Sequence, residues 1–348
     1  MLEMKDIIRV TDKLYDEESL KIFEMCMNRA LHKADIWDFY DLIKHGVNNV
    51  SFGEFAGWYK EHNGKLVIFG AGRVGRYTAE ILSDNGYKIE AIADSAGKAG
   101  NFHEIPIISF DELKKHRGEY KVIIGSRDYR CQMLDQLLRN NFRMEDIYYP
   151  RWDYIRGWIP QYFDFFKPEQ NEIFADGGAY NGQTTVDFCK WAGSSYEKAY
   201  LFEANADNKN MIQDILKNNG IENYELVTKG LYDDDKTLHF ASENGTGSRV
   251  IENGGIEINV TSVDNALMGK RVSFIKMDIE GSEIPALDGA RNTIIKYRPR
   301  MAISTYHRIN DFIDIPLKIL EIEPEYRFAF RQYCTSAEET VLYAWYDK

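Results

Sequence analysis

Residues 171 to 184 constrain the fold of this chain more than any other stretch. They read NEIFADGGAYNGQT, so a short apolar strand ends at Asp176 and a glycine-rich turn leads into a helix. Gly177 and Gly178 tolerate positive φ and close backbone approach, and Gly182 opens a helix whose free N–H groups can receive an anion. The pattern favours a nucleotide-type cofactor pocket, although short glycine motifs also occur as plain strand-to-helix turns.

The acid in this turn indicates which cofactor the pocket suits. The spacing of Asp176, Gly178 and Gly182 is D-x-G-x-x-x-G, which differs from the dinucleotide pattern G-x-G-x-x-G. A carboxylate at the end of the strand repels a diphosphate, but it suits a ligand that carries an ammonium and a sulfonium group. We therefore expect S-adenosylmethionine as the cofactor.

A second glycine turn lies upstream, and its chemistry is opposite. Gly70, Gly72 and Gly75 follow the dinucleotide spacing directly after the apolar residues 66 to 69. This turn contains no acid, and Arg73 and Arg76 lie at the start of the following helix. The local field therefore favours phosphate.

The next strand of this upstream region ends at Asp94, 24 residues after Gly70. A second site for a nucleotide or a nucleotide-sugar can thus be formed by Gly70, Gly72, Arg73, Gly75 and Asp94. The alternative is a degenerate fold that serves as scaffold or as the surface of a homodimer, because the glycine fingerprint alone is a weak signal.

Composition excludes several classes of protein. The formal charge of −12 and the lack of a dense Lys/Arg run argue against a nucleic-acid substrate, since such binders carry a basic stripe. The four cysteines are widely separated and the first residues lack an apolar signal core, so we expect reduced thiols in a cytoplasmic protein. No run approaches the roughly 20 apolar residues that cross a bilayer, which excludes direct membrane insertion.

The alternation of strands and helices predicts an α/β protein with two Rossmann-like parts. The chain ends with strands at 326 to 333 and 340 to 346, joined by a short turn at 335 to 338, which must be antiparallel. A parallel sheet with such a terminal hairpin is the arrangement of class I methyltransferases, and we expect a smaller Rossmann-like α/β domain before it. The expected segments are a helical lead-in (1–63), a nucleotide-binding half-domain (64–150), a linker helix (151–170) and the S-adenosylmethionine-dependent methyltransferase domain (171–348).

Ligands of open α/β sheets bind beyond the carboxyl ends of the strands, so the residues at those ends are the candidates for chemistry. Glu203 ends the strand YLFE and can accept hydrogen bonds from both ribose hydroxyls of an adenosyl cofactor, with capping of the next helix as its alternative. Asp278 ends the strand in KMDIEGSE, and Glu283 behind it most simply faces the dipole of its helix. The strand MAIST delivers His307 to the same edge, where it can face Asp278.

Methyl transfer to a hydroxyl needs a group that takes the proton, because the pKa of an alcohol is near that of water, about 15.7. We assign that role to His307, with Asp278 orienting it or holding the acceptor. A purely structural histidine is the alternative. A divalent cation held by Asp278, Glu280 and His307 is a further alternative, although one histidine among carboxylates is a weak metal signal.

These motifs together resemble the FkbM-type S-adenosylmethionine-dependent methyltransferases. The resemblance rests on DGGAYNGQT, LFEAN, TSVDNAL, KMDIEGSEIPALDGA, YHRINDFIDIPLKI and RFAFRQY, in that order, over roughly residues 171 to 346. It implies O-methylation, commonly of hydroxyls on sugars or polyketide-type natural products. Ala204 departs from the proline that often follows the acid, and Gly177 departs from the usual apolar residue in the turn. The residues expected at the cofactor are Asp176, Gly177, Gly178, Ala179, Tyr180, Gly182, Gln183, Thr184, Glu203, Leu231 and Asp278.

The sequence thus predicts an O-methyltransferase that acts on a hydroxyl of a sugar, a nucleotide-sugar, a glycan precursor or a similar small molecule. A nicotinamide-dependent sugar oxidoreductase that uses the upstream glycine turn is an alternative, weakened by the lack of a Tyr-x-x-x-Lys set there. A non-enzymatic module that senses nucleotide-sugars is the other alternative, and the intact acids Asp176, Glu203 and Asp278 argue against it.

Overall fold

The computed structural model describes residues 3–32, 50–95, 100–126, 129–148, 161–193, 196–242, 248–251, 256–333 and 339–347. The chain divides into two compact units, one formed by Met1–Gly46 with Trp158–Lys348 and the other by Val47–Gly157. This division differs from the expected segments, since the lead-in region is split between the two units.

Two helices open the larger unit, α1 (Met4–Thr11) and α2 (Glu17–His32). The apolar residues Leu20, Phe23, Met27 and Leu31 have helical spacing and predict a helix here, although Leu20 and Leu31 are exposed. Phe23 is buried, and its ring lies 5.2 Å from that of Phe312 and 6.1 Å from that of Phe330, which both come from the C-terminal part of the chain. The same spacing continues in the sequence over 36 to 43, and the helix it predicts lies outside the described residues.

The smaller unit is built on a sheet of six strands. This sheet has more strands than the half-domain expected from the sequence. Its order is β3-β4-β2-β1-β5-β6, in which β3 is antiparallel to β4 and the other pairs are parallel. The strands are β1 (Lys65–Phe69), β2 (Ile89–Asp94), β3 (Gly100–Phe102), β4 (Ile105–Ser109), β5 (Tyr120–Ile124) and β6 (Ile147–Tyr148). The helices are α3 (Val50–His62), α4 (Arg73–Asp84), α5 (Phe110–Lys115) and α6 (Arg130–Arg139), with a 3-10 turn at Met144–Asp146.

The larger unit contains a seven-stranded sheet in the order β16-β17-β15-β14-β7-β8-β9. In this sheet β17 runs antiparallel to both of its neighbours, β15 and β16, and all other neighbouring pairs are parallel. The predicted class I methyltransferase arrangement with a terminal antiparallel hairpin is therefore confirmed. Its turn at 335 to 338 lies outside the described residues. The strands are β7 (Glu172–Gly177), β8 (Tyr196–Phe202), β9 (Tyr224–Val227), β14 (Phe274–Met277), β15 (Arg300–Ser304), β16 (Tyr326–Gln332) and β17 (Thr340–Tyr346).

The glycine-containing stretch 237 to 261 predicts a β-rich insertion, and the chain between β9 and β14 forms a separate four-stranded sheet there. It consists of β10 (Gly230–Leu231), β11 (Lys236–Ser242), β12 (Ser248–Ile251) and β13 (Ile256–Thr261). The helices of the larger unit after β7 are α7 (Gln183–Ala192), α8 (Lys209–Asn218), α9 (Val263–Leu267), α10 (Glu283–Asp288), α11 (Arg291–Tyr297) and α12 (Asp311–Ile322).

The aromatic segment before β7 is not a helix where the structure describes it. Residues 161 to 166 form turns and bends, while 151 to 160 lie outside the described residues. Phe163 is 1% exposed, and its ring lies 5.7 Å from Phe174 and 5.6 Å from Phe274. The apolar residues that suggested a helix buried on every face are therefore core residues of an irregular segment that covers the sheet.

Candidate active site

The glycine turn between β7 and α7 is held tightly against the next strand. Gly178 has a φ of 77°, and a Cβ there would lie 2.0 Å from the carbonyl oxygen of Asp278. Gly177 has no left-handed φ, but a Cβ would lie 2.8 Å from Leu231 Cδ1 and 3.0 Å from the Lys276 carbonyl oxygen. Gly178 therefore needs glycine for both its backbone conformation and its lack of space, and Gly177 needs it for space.

Asp176 does not face a ligand as a free carboxylate. It is fully buried, its Oδ2 accepts a hydrogen bond from Thr185 Oγ1 at 2.8 Å, and its Oδ1 lies 3.2 Å from Lys276 Nζ. Lys276 also donates to the carbonyl oxygens of Gly177 at 3.0 Å and Gly178 at 2.8 Å. The acid is thus neutralised by a buried cation, and the pair fixes the turn. The expectation that Asp176 sets the sign of the pocket is therefore corrected.

Glu203 lies at the end of β8, beside this turn. Its Oε2 accepts a hydrogen bond from the Tyr180 amide at 2.7 Å, and its Oε1 accepts from the Asn205 amide at 2.8 Å. The side chain of Asn205 caps the following 3-10 turn by accepting from the Asp207 amide, so capping is not the role of Glu203. Because a carboxylate oxygen can accept two hydrogen bonds, Oε2 keeps capacity for a ribose hydroxyl.

The other residues expected at the cofactor surround the same turn. Gly182 is the left-handed N-cap of α7, with a φ of 84°, so its conformation directs the first turn of the helix. Tyr180 is 66% exposed, whereas Leu231 is 2% exposed beneath the turn. The structure also places Ala179, which is buried, and Gln183 and Thr184, which begin α7, at this strand end.

Asp278 is the hub of the polar groups at this edge of the sheet. Its carboxylate accepts hydrogen bonds from Tyr162 OH at 2.9 Å and Tyr306 OH at 3.1 Å, and it lies 3.3 Å from His307 Nε2. Burial acts to raise the pKa of Asp278, but the hydrogen bond from His307 and the charge of Lys276 outweigh burial and hold the pKa well below its usual range. The side chain remains 28% exposed, so Asp278 offers an accessible negative charge that Asp176 does not.

His307 is held between two carboxylates. Its Nε2 faces Asp278, and its Nδ1 lies 3.0 Å from Glu283 Oε1. Burial acts to lower the pKa of His307, but its hydrogen bonds to Asp278 and Glu283 raise that pKa to about 10. The raised pKa favours the imidazolium form, whereas the sequence suggested a free base.

Glu283 has a larger role than facing a helix dipole. It begins α10, is 1% exposed, and accepts a hydrogen bond from the Ile279 amide at 3.0 Å. Asp311, at the start of α12, accepts a hydrogen bond from the Arg308 amide at 2.6 Å. Burial and the nearby charge of Glu283 raise the pKa of Asp311 to about 6.

The groups that could hold a metal differ from the predicted set. Among the described residues, Glu283, His307 and Asp311 offer ligand atoms that all lie within 4.8 Å of one another. Glu280 is instead 59% exposed, and its carboxylate lies 3.9 Å from His307 Nε2. A protonated imidazole offsets one of the two carboxylate charges in this cluster, and it offers no lone pair to a metal.

Sequence reasoning missed two residues of this site. The sequence contains a clue to Lys276, because it is the one charged residue among the four of β14, and that strand is buried throughout. A lysine in such a strand needs a buried partner. Tyr162 carries no signal, since its contact with Asp278 spans 116 positions of the sequence.

The upstream glycine turn has the close packing of a nucleotide-binding turn. Gly70 has a φ of 121°, and a Cβ on Gly75 would lie 1.8 Å from the Gly70 carbonyl oxygen. A Cβ on Gly72 would meet open space, and Arg73 begins α4. The Arg76 Nε donates to the Ala71 carbonyl oxygen at 3.0 Å, so that guanidinium is tied to the turn itself. Asp94 ends β2, the strand next to β1.

The seven-stranded sheet with its glycine turn and strand-end acids defines a class I methyltransferase fold. Residues 176–331 match the model of the methyltransferase FkbM domain family. This part of the chain is thus similar to the FkbM methyltransferases, a family of S-adenosylmethionine-dependent enzymes, and the match spans somewhat less than half of the chain.

The chain is also similar to solved structures at low sequence identity. The crystal structure of methyltransferase FkbM from Methylobacillus flagellatus KT is 19% identical, with a TM-score of 0.46, over 89% of this chain and 98% of that chain. A putative methyltransferase from Streptococcus mutans in complex with SAH is 13% identical, with a TM-score of 0.35, over 51% of this chain and 90% of that chain. An rRNA methylase from Streptococcus thermophilus is 15% identical, with a TM-score of 0.35, over 51% of this chain and 87% of that chain.

A search of the curated proteins found no match to this chain. Within the described part of the chain, no helix combines the length and the apolar character that a membrane span requires.

Proposed function

We propose that this protein is an S-adenosylmethionine-dependent O-methyltransferase that acts on a hydroxyl of a sugar, a nucleotide-sugar or a glycan precursor. The observation that carries the proposal is the row formed by Asp278, His307 and Glu283, which begins at the end of the strand next to the glycine turn. The cofactor supplies an activated methyl group on a positively charged sulfur. A hydroxyl must lose its proton as it takes that methyl group, and this row can receive the proton.

The glycine turn and Glu203 fit the cofactor. The backbone of Gly177 and Gly178 has no Cβ in the way, and Glu203 Oε2 retains a lone pair for a ribose hydroxyl. Asp278 provides the accessible carboxylate that favours a cationic ligand, in place of the buried Asp176. We therefore place the nucleoside near Glu203 and the charged part of the cofactor near Asp278.

The protonation of His307 is compatible with this role if the charge at Asp278 changes during turnover. A positive charge held next to Asp278 lowers the pKa of His307, because two cations then share one carboxylate. When that charge is lost with the methyl group, the pKa of His307 rises again. His307 then takes the proton that leaves the hydroxyl, and Glu283 on Nδ1 stabilises the imidazolium. One positive charge remains in the site throughout, first on sulfur and then on the ring.

The phenols at the site favour a polyhydroxylated acceptor. Tyr162 and Tyr306 direct their hydroxyl groups to Asp278, and the exposed Glu280 and Arg308 line the same rim. Such closely spaced donors and acceptors suit the hydroxyl groups of a sugar. Cys26 and Cys189 are free thiols, which fits a reducing compartment such as the cytoplasm.

We also infer that the upstream glycine turn can hold a nucleotide in its own unit. Its strands β2, β1 and β5 are parallel neighbours, and the order along the sheet reverses at β1 and β5, where ligands of such sheets bind. The close contact between Gly75 and Gly70 favours this inference over a degenerate turn. A Gly75→Val variant should lose nucleotide binding there and keep the binding of S-adenosylhomocysteine.

The test of the methyltransferase assignment is a product assay with the full chain. The protein is incubated with S-adenosylmethionine and with sugars, sugar phosphates and nucleotide-sugars, and S-adenosylhomocysteine release is coupled to NMR analysis of the methylated product. We expect an O-methyl product from one of these classes. Products methylated on nitrogen, sulfur or carbon, or cofactor turnover without dependence on any hydroxylated acceptor, would overturn the assignment.

The role of His307 is tested with His307→Gln. The matched control is His116→Gln, which changes a partly exposed histidine of the other unit. We expect kcat of His307→Gln to fall by about 10² to 10⁴ with little change in the affinity for S-adenosylhomocysteine. In the unchanged enzyme the apparent pKa in kcat should lie below the value of about 10 in the free protein. Wild-type kcat in His307→Gln would refute the role of His307 and leave the cofactor assignment intact.

A further inference from the structure

A cleft of about 750 Å³ opens at the amino-terminal edge of the seven-stranded sheet. The strands β14 and β15 begin at this edge and the antiparallel β17 ends there, so the cleft lies at the opposite edge from the glycine turn. It is therefore separate from the site of methyl transfer. The residues that line it include Tyr15, Lys167, Arg271, Arg298, Trp345 and Tyr346.

Aromatic rings form one wall of this cleft. The Tyr15 ring lies 5.6 Å from that of Trp345, and the Phe165 ring lies 5.3 Å from that of Trp345. The Arg298 guanidinium lies over the Tyr346 ring, with its Cζ 3.9 Å from the ring centroid. The rings of the wall meet edge-on or at a tilt, with 77° between Tyr15 and Trp345 and 43° between Phe165 and Trp345. The wall therefore offers aromatic and guanidinium surfaces on which a planar ring can pack.

The cleft is also basic, although the chain as a whole carries a net charge of −12. Four basic side chains line it against one acidic side chain, that of Glu169. Arg300 is paired with the buried Glu172 and thus belongs to the wall. Arg298 uses Nε toward Glu323 at 3.2 Å, and Arg271 uses Nη1 toward the Asn171 carbonyl oxygen at 2.8 Å.

A guanidinium has five N–H donors, so these contacts use only part of what Arg271 and Arg298 can offer. Arg298 is 46% exposed, which leaves it accessible to a ligand. Paired guanidinium groups recognise phosphate by two-point hydrogen bonding. The volume of the cleft lies in the range that holds a ligand of nucleotide size.

We propose that this cleft binds a nucleotide, whose base stacks on the wall formed by Trp345, Tyr346 and Arg298 and whose phosphates are held by Arg271, Arg298 and Lys167. The ligand is neither the cofactor nor the acceptor of the methyl group, because the cleft lies at the edge of the sheet away from Asp278. Binding there is expected with S-adenosylhomocysteine already in place.

The experiment is a calorimetric titration of the full-length protein, saturated with S-adenosylhomocysteine, with ADP, UDP and inorganic phosphate. Arg298→Gln and Arg271→Gln should each weaken nucleotide binding about tenfold, since each removes a charge-assisted hydrogen bond. Lys296→Gln is the matched control, because it removes one positive charge in the last turn of α11, two residues before Arg298, and Lys296 does not line the cleft. It should change the affinity less than twofold.

Trp345→Leu separates recognition of the base from recognition of the phosphate. It should weaken ADP and UDP and leave inorganic phosphate unchanged, while an unchanged affinity for S-adenosylhomocysteine shows that the unit is folded. The proposal fails if neither nucleotide binds, if Lys296→Gln weakens binding as much as Arg298→Gln, or if phosphate binds as tightly as the nucleotides. It also fails if Gly75→Val, in the other unit, abolishes all nucleotide binding, because the ligand then belongs to the upstream glycine turn.

Discussion

The buried pair beneath the glycine turn predicts a large effect of one substitution. Lys276→Met should destabilise the methyltransferase unit by about 3 to 5 kcal/mol, the range for removing one partner of a buried ion pair. Lys276 is 2% exposed, and it donates to the carbonyl oxygens of Gly177 and Gly178 besides pairing with Asp176. Methionine keeps the apolar stem, but Asp176 then remains as a buried charge that has lost its cation and keeps the hydrogen bond from Thr185 Oγ1.

The structure also predicts that the two partners are unequal. Asp176→Asn leaves Lys276 with two carbonyl acceptors, so it should cost about 1 to 3 kcal/mol, the penalty for a weakened buried polar contact. The double variant should cost less than the sum of both, because asparagine carries no charge that needs a partner. The coupling should lie at about 0.5 to 3 kcal/mol.

The assay is urea unfolding followed by hydrogen exchange in peptides from β7 and β14, which reports on the unit that contains the pair. Lys296→Met, on an exposed position of α11, is the control and should change the free energy of unfolding by less than about 0.5 kcal/mol. The reasoning is refuted if Lys276→Met stays within about 1 kcal/mol of the wild type, or if the two substitutions are additive.

Three further predictions concern the cofactor turn and the histidine. Glu203→Gln should weaken S-adenosylhomocysteine binding about tenfold in calorimetry, as expected for the loss of a charge-assisted hydrogen bond. Glu225→Gln, at an exposed position, is the control and should leave the affinity unchanged. Equal affinity in both variants would refute the assignment of Glu203 to the ribose of the cofactor. Gly178→Ala should abolish cofactor binding, because its Cβ would lie 2.0 Å from a carbonyl oxygen. The control is Gly220→Ala, at a φ of 68° where a Cβ meets open space, and thermal unfolding should show that it lowers the free energy of unfolding by only about 1 kcal/mol. The free energy of unfolding should fall as the pH rises from 6.5 to about 10, since folded His307 holds a proton that the unfolded chain releases earlier. Urea titrations should show a smaller fall for His307→Gln, and an identical slope would contradict the raised pKa.

Most of the regular elements could be predicted because their signals are local. The apolar periodicity of the sequence predicts a helix around 130 to 139 and a strand at 340 to 346, and helix α6 (Arg130–Arg139) and strand β17 (Thr340–Tyr346) have these bounds. It also predicts one helix from about 283 to 295, which the structure instead breaks at Gly289 into α10 and α11. A Cβ on Gly289 would lie 2.1 Å from the carbonyl oxygen of Tyr232, so a distant segment determines that break.

The candidate site likewise has a part that the sequence predicted, the position of its residues, and a part that it did not, their charge. Sequence alone placed Asp176, Glu203, Asp278 and His307 at one edge, because the carboxyl ends of parallel strands meet there whatever their side chains do. It also determined the class of fold through the order of its strands.

Only the tertiary structure decided how these groups are charged. Asp176 is paired with a lysine 100 positions away, and His307 is held between two carboxylates on other segments. The charge state of a buried group depends on distances through space to its partners, and sequence spacing does not report those distances. The buried acid therefore fixes the turn, and the accessible negative charge belongs to Asp278.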